Sequence, residues 1–398
     1  MLEARDRVGG RTFAAPWQGE TIEVGGAYVG DVHTRVVAEL QRYGIGTVPA
    51  NPLPQRTFFP ALGGGQQEVD FLTTILEFDG MLAKLFQGWQ DFFPSPRDPL
   101  AARDVVAQYD PLSLRDGLAR ADLSDRDRLW VGGMAAGYSG GSAADGGLTA
   151  WAQAWVAGEN QYVSIQEHRI AGGTSALVGA ILADARADVR LGSPVVSVVE
   201  EPGRVVVTTL TGARYHAPAV VVAVPVNVWR TIHFAPGLPT PFRAAAREGA
   251  GVFNAHKLHI RIRGDLKAPF ALGREGAPMW LIVPQHEFPD GDQLIVAVCV
   301  DPHANLDNQA EVQERVRSIL PGATVRDYQY HSWSRDRWAR GGWALRRPGQ
   351  LLRQVPALHQ PHGRVVFASG DVSAAWHGYM EGAIESGAIA AAQAVSLS

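Results

Sequence analysis

Residues 2–12 set Glu3, Arg5, Arg7 and Arg11 around the adjacent glycines Gly9 and Gly10. In a dinucleotide-binding βαβ unit a glycine-rich first turn holds the pyrophosphate. An acid about 20 residues later, at the end of the second strand, binds the ribose hydroxyls. Glu3 suits that second role, and the glycine pair would let backbone approach a phosphate while the guanidinium groups neutralise it. Taken alone, the same residues describe a charged turn with two glycines at least as well. Lys257 lies in a stretch where Leu258, Ile260 and Ile262 alternate with Lys257, His259 and Arg261. That pattern predicts a strand with one wet side and Lys257 as a solvated cation on it. Trp343 follows Gly341 and Gly342, and Tyr379 follows Gly378. Aromatic rings beside glycine turns can wall a cavity, although core packing claims most tryptophans. No H-E-x-x-H, G-x-S-x-G or P-loop occurs, and the 12 histidines show no ligand-like spacing. His256 and His259 fall on opposite faces of a strand, so neither a metal site nor serine-hydrolase chemistry is expected.

The elements that must position these residues are legible as periodicities. Helices are predicted over 31–44, with Asp31 as N-cap, and over 68–93, where Phe71, Ile75, Leu82, Phe86 and Trp89 recur at helical spacing. Residues 115–158 predict helical patches broken by the glycine-rich run 132–147. A helix after Gly172 and Gly173 leads into β-branched strands over 194–200, 204–210 and 219–224. Further strands are expected over 256–263, 279–283, 294–300 and 324–330, with a helix over 311–320. A buried strand over 365–368 and a small-residue helix over 378–395 close the chain.

At 398 residues the chain is long enough for two or three domains of ordinary size. With 46% hydrophobic and 19% charged residues it is neither disordered nor of low complexity. A formal charge of -4, with no dense run of Lys and Arg, argues against nucleic acid as a partner. One cysteine, Cys299, rules out an internal disulfide and a Cys-rich zinc site, and it is compatible with a reducing compartment. No apolar window reaches 18 residues and the first ten residues are charged, so the expectation is a cytoplasmic protein without a transmembrane anchor.

Residues 2–12 resemble the second conserved segment of flavin-containing monoamine oxidases. The likeness continues through residues 23–30, 170–174, 193–195 and 232–234, and it ends with Gly370-Asp371, Trp376 and residues 378–387. These segments follow the family's order along nearly the whole chain. The resemblance implies an α/β fold in which a Rossmann-like FAD-binding domain, assembled from residues 1–48, 171–246 and 336–398, packs on an α+β substrate-binding domain of residues 49–170 and 247–335. The family's glycine fingerprint has no counterpart, because only Met1 and Leu2 precede Glu3. The expectation is therefore an N-terminal strand and helix missing from a fragment of a longer gene product, since loss of a central strand would leave backbone groups unpaired. A native variant with weakened cofactor binding is the other reading.

Residue by residue, the resemblance implies that Glu3 binds the adenosine ribose and that Arg5, Gly10 and Arg11 lie by the pyrophosphate. It places Val195 at the adenine end, Gly370 and Asp371 by the ribityl or phosphate region, and Met380 against the flavin. Lys257 matches the lysine that holds a water near flavin N5, where a cation could assist reoxidation by oxygen. Trp343 and Tyr379 match the two rings that face each other before the flavin, with Trp333 and Trp376 in the same wall. Gly342 stands where covalently flavinylated members carry a cysteine, so the FAD is expected to be noncovalent. The implied activity is oxidation of a primary or secondary amine to an imine, with oxygen reduced to hydrogen peroxide. Its partners are a small-molecule amine and oxygen, and a homodimer is compatible with it. Alternatives are a flavin-dependent desaturase on the same fold, or a truncated homologue with impaired FAD binding and no catalysis.

Overall fold

A computed structural model describes residues 1–398, leaving aside the side chain of Val163. Its largest sheet has seven strands, in the order Thr324–Ser332, His256–Arg263, Gln293–Cys299, Leu281–Glu287, Pro269–Leu272, Arg56–Pro60, Gln66–Val69. All neighbours are antiparallel except Pro269–Leu272 beside Arg56–Pro60. Helix Gln309–Ile319 covers one face, packing Val312 and Val316 in a core with Leu258, Ile260 and Ile262.

The opposite face of His256–Arg263, expected to be wet, is covered. His259 is only 2% exposed, and Arg261 donates to Gln18 of a hairpin formed by Ala14–Trp17 and Glu20–Glu23. Alternation reports which residues are apolar; it does not report whether a second layer lies over the polar ones. That hairpin contributes Ile22, which with Val24 packs against Leu294 and Trp333.

Helices Phe71–Leu85, Leu114–Arg120, Asp125–Tyr138 and Leu148–Ala157 form a layer with an aromatic core of Phe78, Phe86, Trp89, Trp130, Trp151 and Trp155. The first starts later than periodicity suggests, because Asp70 accepts from the Thr73 amide at 2.9 Å and Glu68 belongs to a strand. It ends at Leu85, and Gly88 at φ +80 turns the chain into a separate short helix, Trp89–Phe92. The glycines at 132, 133 and 137 do not break a helix; they lie inside Asp125–Tyr138. A Cβ at Gly133 would sit 2.4 Å from the Gly273 carbonyl oxygen, and one at Gly137 1.8 Å from the Trp280 ring. Close approach of helix to sheet, at a cost in helix propensity, explains Gly133 and Gly137.

Helix Thr34–Arg42 begins at His33, not at Asp31, whose side chain is 88% exposed. Its free amides are satisfied from far along the chain, since the Glu381 carboxylate accepts from Arg35 and Val36 at 2.9 Å. Elsewhere a four-stranded sheet runs Arg214–Ala217, Arg204–Thr209, Val195–Glu201, His233–Ala235, and Val220–Val222 pairs in parallel with Val365–Phe367. Helix Met380–Ser396 packs Ala390 against Val366 and Ala368. Residues 1–3 run beside 188–193, with the Glu3 amide donating to Arg190 O at 2.9 Å and the Ser193 amide to Glu3 O at 2.8 Å. Among the described residues no helix is long and apolar enough to cross a membrane.

Candidate active site

Three distant segments converge at Asp371. Its side chain is fully buried and accepts from the Val226 amide at 2.9 Å and from the Arg11 guanidinium. Arg11 also donates to the Gly342 carbonyl at 2.8 Å, which ties residues 2–12 to the turn that carries Trp343. Asp371 is not the cap of the closing helix. Ser369 caps the short turn Gly370–Val372, and Tyr379 occupies the N-cap position of Met380–Ser396. Gly370 is buried, and its amino-acid neighbours leave its carbonyl accepting from the Gly378 amide at 2.8 Å.

Gly25 links this junction to the large sheet. A Cβ there would lie 1.9 Å from the Arg11 carbonyl oxygen, so only glycine permits the contact. Its own carbonyl accepts from Lys257 Nζ at 2.9 Å. Lys257 thus stands on the covered face of its strand, where burial lowers its pKa to about 8 against the opposing pull of Glu23. Glu23 is 4% exposed and accepts from the amide and the hydroxyl of Thr174, both at 2.7 Å. Burial raises its pKa, while those bonds and the Lys257 charge act the other way.

The aromatic residues fall into linked groups. Trp376 and Tyr379 meet edge to face with centroids 5.2 Å apart, and His33 packs on Trp376 at 4.4 Å. Trp343 donates from Nε1 to the Tyr138 carbonyl at 2.9 Å and lies 5.8 Å from Trp280, which is 5.4 Å from Tyr138. The two groups meet through backbone, since a Cβ on Gly378 would be 2.3 Å from the Ala344 carbonyl oxygen. Trp343 and Tyr379 therefore flank one close backbone contact without touching ring to ring. Trp333 donates to the Val24 carbonyl at 3.0 Å, one residue before the carbonyl that holds Lys257.

Of the remaining expected residues, Arg5 is committed to Asp336 through two bonds of 2.7 and 2.9 Å. Glu3 accepts from the Arg5 amide at 2.8 Å through Oε1. Gly10 adopts φ +58 with nothing within 4 Å of where a Cβ would lie, while a Cβ on Gly9, at φ +95, would clash with the Thr12 carbonyl. Val195 begins strand Val195–Glu201 at the end of the run beside Glu3, and Met380 lies 4.0 Å from where Gly26 would carry a Cβ.

Sequence reasoning passed over Tyr28, Tyr138, Tyr162, Trp280 and His33. Burial pushes the phenols of Tyr28, Tyr138, Tyr162 and Tyr379 above the ordinary tyrosine value. His33 is held down to about 4, also by burial, and stays neutral. Gly137 was the available signal for Trp280, and only the fold shows what it accommodates.

A family model described as flavin containing amine oxidoreductase matches residues 1–395. The chain belongs to this family. Members similar to it include nicotine dehydrogenase of Pseudomonas putida, 30% identical over 400 residues, covering 97% of this chain and 81% of that one. (S)-6-hydroxynicotine oxidase of Paenarthrobacter nicotinovorans is 30% identical over 407 residues, covering 97% and 91%. Among solved structures, putrescine oxidase bound to putrescine superposes with a TM-score of 0.82 at 21% identity, covering 99% and 93%. Cyclohexylamine oxidase of Brevibacterium oxydans gives 0.77 at 22%, covering 99% and 92%. The family's flavin is FAD, and the residues present fit one. Residues 2–12 touch both Ser193 and Asp371, Gly10 leaves open backbone, and His377 near Arg11 keeps a buried Nε2 without a protein partner among the described residues.

Proposed function

We propose that the protein oxidises a neutral amine bearing a ring to an imine, which water hydrolyses to a carbonyl compound, with oxygen reduced to hydrogen peroxide. When bound, FAD supplies the hydride acceptor and passes the electrons on. In this reading Glu3, Arg11, Val195, Gly370, Asp371 and Met380 hold it, with Arg5 bracing the segment through Asp336, and Trp333 and Trp376 beside it. Lys257, Trp343 and Tyr379 act at the reacting centre. The observation that carries the proposal is Lys257, half-buried on the covered face of its strand with Nζ held by the Gly25 carbonyl at 2.9 Å.

This environment selects the protonation state of the substrate. A second cation beside Lys257 would be desolvated and repelled, and Glu23 is already engaged by Thr174, so an amine enters with its lone pair free. The tyrosine phenols stay protonated, giving dipoles without charge. Trp280, Trp343 and Tyr379 offer aromatic faces against which a ring-bearing amine can pack. The relatives named for nicotine support the same choice of a ring-bearing amine. We place the enzyme in the cytoplasm, in keeping with its single cysteine.

The test is turnover by FAD-loaded protein of nicotine, cyclohexylamine and putrescine, with peroxide measured directly. Flavin reduction by nicotine or cyclohexylamine ahead of putrescine is expected; flavin that no amine reduces would overturn the proposal. Acid or heat denaturation should leave the flavin in the small-molecule fraction, given Gly342 at the linking position. Flavin travelling with the denatured chain would show a covalent bond. Trp343→Ala and Tyr379→Ala should each lower amine turnover about tenfold or more, by loss of shape and alignment, with flavin content little changed. Equal losses of flavin and turnover would instead mark the two rings as structural.

A further inference from the structure

Beside the Val226–Thr231 turn, whose first residue bonds Asp371, three arginines surround an apolar floor. The cleft lies between that turn, strand His233–Ala235 and helix Thr240–Glu248, with a volume of about 390 Å³. Its floor includes Trp229 and Leu238, 1% and 6% exposed, and the Trp229 indole is fixed by donating to the Val224 carbonyl at 3.2 Å. Arg230, Arg243 and Arg247 are exposed at its rim, with His233 beside them. Among the described residues none of the three arginines forms an ion pair, and no carboxylate lines the cleft. The adjacent Glu248 turns away to Arg353, bonding it at 2.5 and 3.0 Å.

We propose that this cleft binds a small organic anion with an apolar body, its head a carboxylate or a phosphate monoester. The volume is in the range of small-molecule sites, about 300–1,000 Å³. Three like charges gathered on a chain of net charge -4 are not needed to balance the molecule, and an anion would relieve their mutual repulsion. Arginine presents its donors as a planar fork suited to both head groups. Arg243 is already oriented, donating to the Leu238 carbonyl at 2.7 Å and to Thr240 Oγ1 at 3.0 Å. Arg230 and Arg247 make no hydrogen bond among the described contacts and remain available. An apolar body would cover the Trp229 and Leu238 floor, gaining affinity from area as well as charge. The cleft shares no lining residue with the aromatic groups of the candidate active site.

The experiment is calorimetric titration of the full chain, with saturating FAD present, using phenyl phosphate, phenylacetate and inorganic phosphate. Saturable binding of phenyl phosphate or phenylacetate that weakens with added salt is expected, and the tighter of the two identifies the head group. Arg230→Gln combined with Arg247→Gln should weaken that binding about tenfold, because two charged donors are lost. Arg326→Gln, an equal change of charge type on the remote strand Thr324–Ser332, should leave it unaltered. Arg230 and Arg247 are exposed and form no side-chain hydrogen bond or ion pair among the described residues, and unfolding curves of the variants serve as the control. Absence of saturable binding, unchanged affinity in the double variant, or equal loss in Arg326→Gln would overturn the proposal. Inorganic phosphate binding as tightly as phenyl phosphate would also overturn it, since the apolar floor would then contribute nothing.

Discussion

Lys257→Met is expected to lower amine turnover on the order of tenfold or more while leaving flavin content intact, because it removes a half-buried cation without altering the Arg11–Asp371 junction. A second readout separates this role from simple packing. Burial holds the Lys257 pKa at about 8, below the ordinary 10.5 that it regains on unfolding. Between those values the unfolded chain keeps a proton that the folded chain has lost, so this group's contribution raises stability as pH rises from about 8 to 10.5. Below about 8 the folded protein bears the cost of a partly desolvated charge. Lys257→Met should therefore be more stable than the parent at pH 7, and its advantage should shrink through that window. Parallel stability curves against pH for the two proteins would show that Lys257 is not a buried cation. Unchanged turnover would remove it from the reacting centre.

Much of this arrangement is legible in the sequence, and the exceptions share a cause. Strand His256–Arg263 and the face that Lys257 occupies follow from period-two alternation, yet the hairpin that covers this face did not register. Its strands are four residues each and its turn places a non-glycine, Gln18, at φ +50 before Gly19 at φ +85. Gly19 was the one local sign. Motif residues such as Asp371 and Met380 could be placed by resemblance, whereas their bonding partners lie hundreds of positions away. Arg5 looked available for a phosphate, but Asp336, 331 residues later, takes both of its terminal nitrogens. Thr34–Arg42 owes its start to Glu381, and no local window contains that residue. The aromatic wall was half visible for a similar reason. Trp343 and Tyr379 stand beside glycines, while Tyr28, Tyr138 and Tyr162 look like ordinary core residues until the helical layer is set against the sheet.

Gly25→Ala should add one of the most damaging single methyl groups possible near the site. The new Cβ would lie 1.9 Å from the Arg11 carbonyl oxygen, 2.9 Å from its carbon and 3.2 Å from the Phe13 nitrogen. All three are backbone atoms, so no side-chain rotation relieves the clash and residues 11–13 must move away. That movement strains two ladder-like bonds, from the Gly25 amide to Phe13 O at 3.1 Å and from the Gly26 amide to Arg11 O at 3.0 Å. Overpacking and two weakened hydrogen bonds together are worth about 3 kcal/mol. A lower urea midpoint at unchanged slope is the expected signature. Shifting Arg11 also loosens its hold on Asp371 and the Gly342 carbonyl, and shifting the Gly25 carbonyl loosens Lys257. Flavin content and turnover should therefore fall together in Gly25→Ala, in contrast to Lys257→Met, where turnover falls alone. Gly10→Ala provides the comparison, because its Cβ would meet nothing within 4 Å and only the φ of +58 opposes it. If Gly25→Ala were no more destabilising than Gly10→Ala, the close contact between residues 11 and 25 could not be what joins the cofactor segment to the lysine strand.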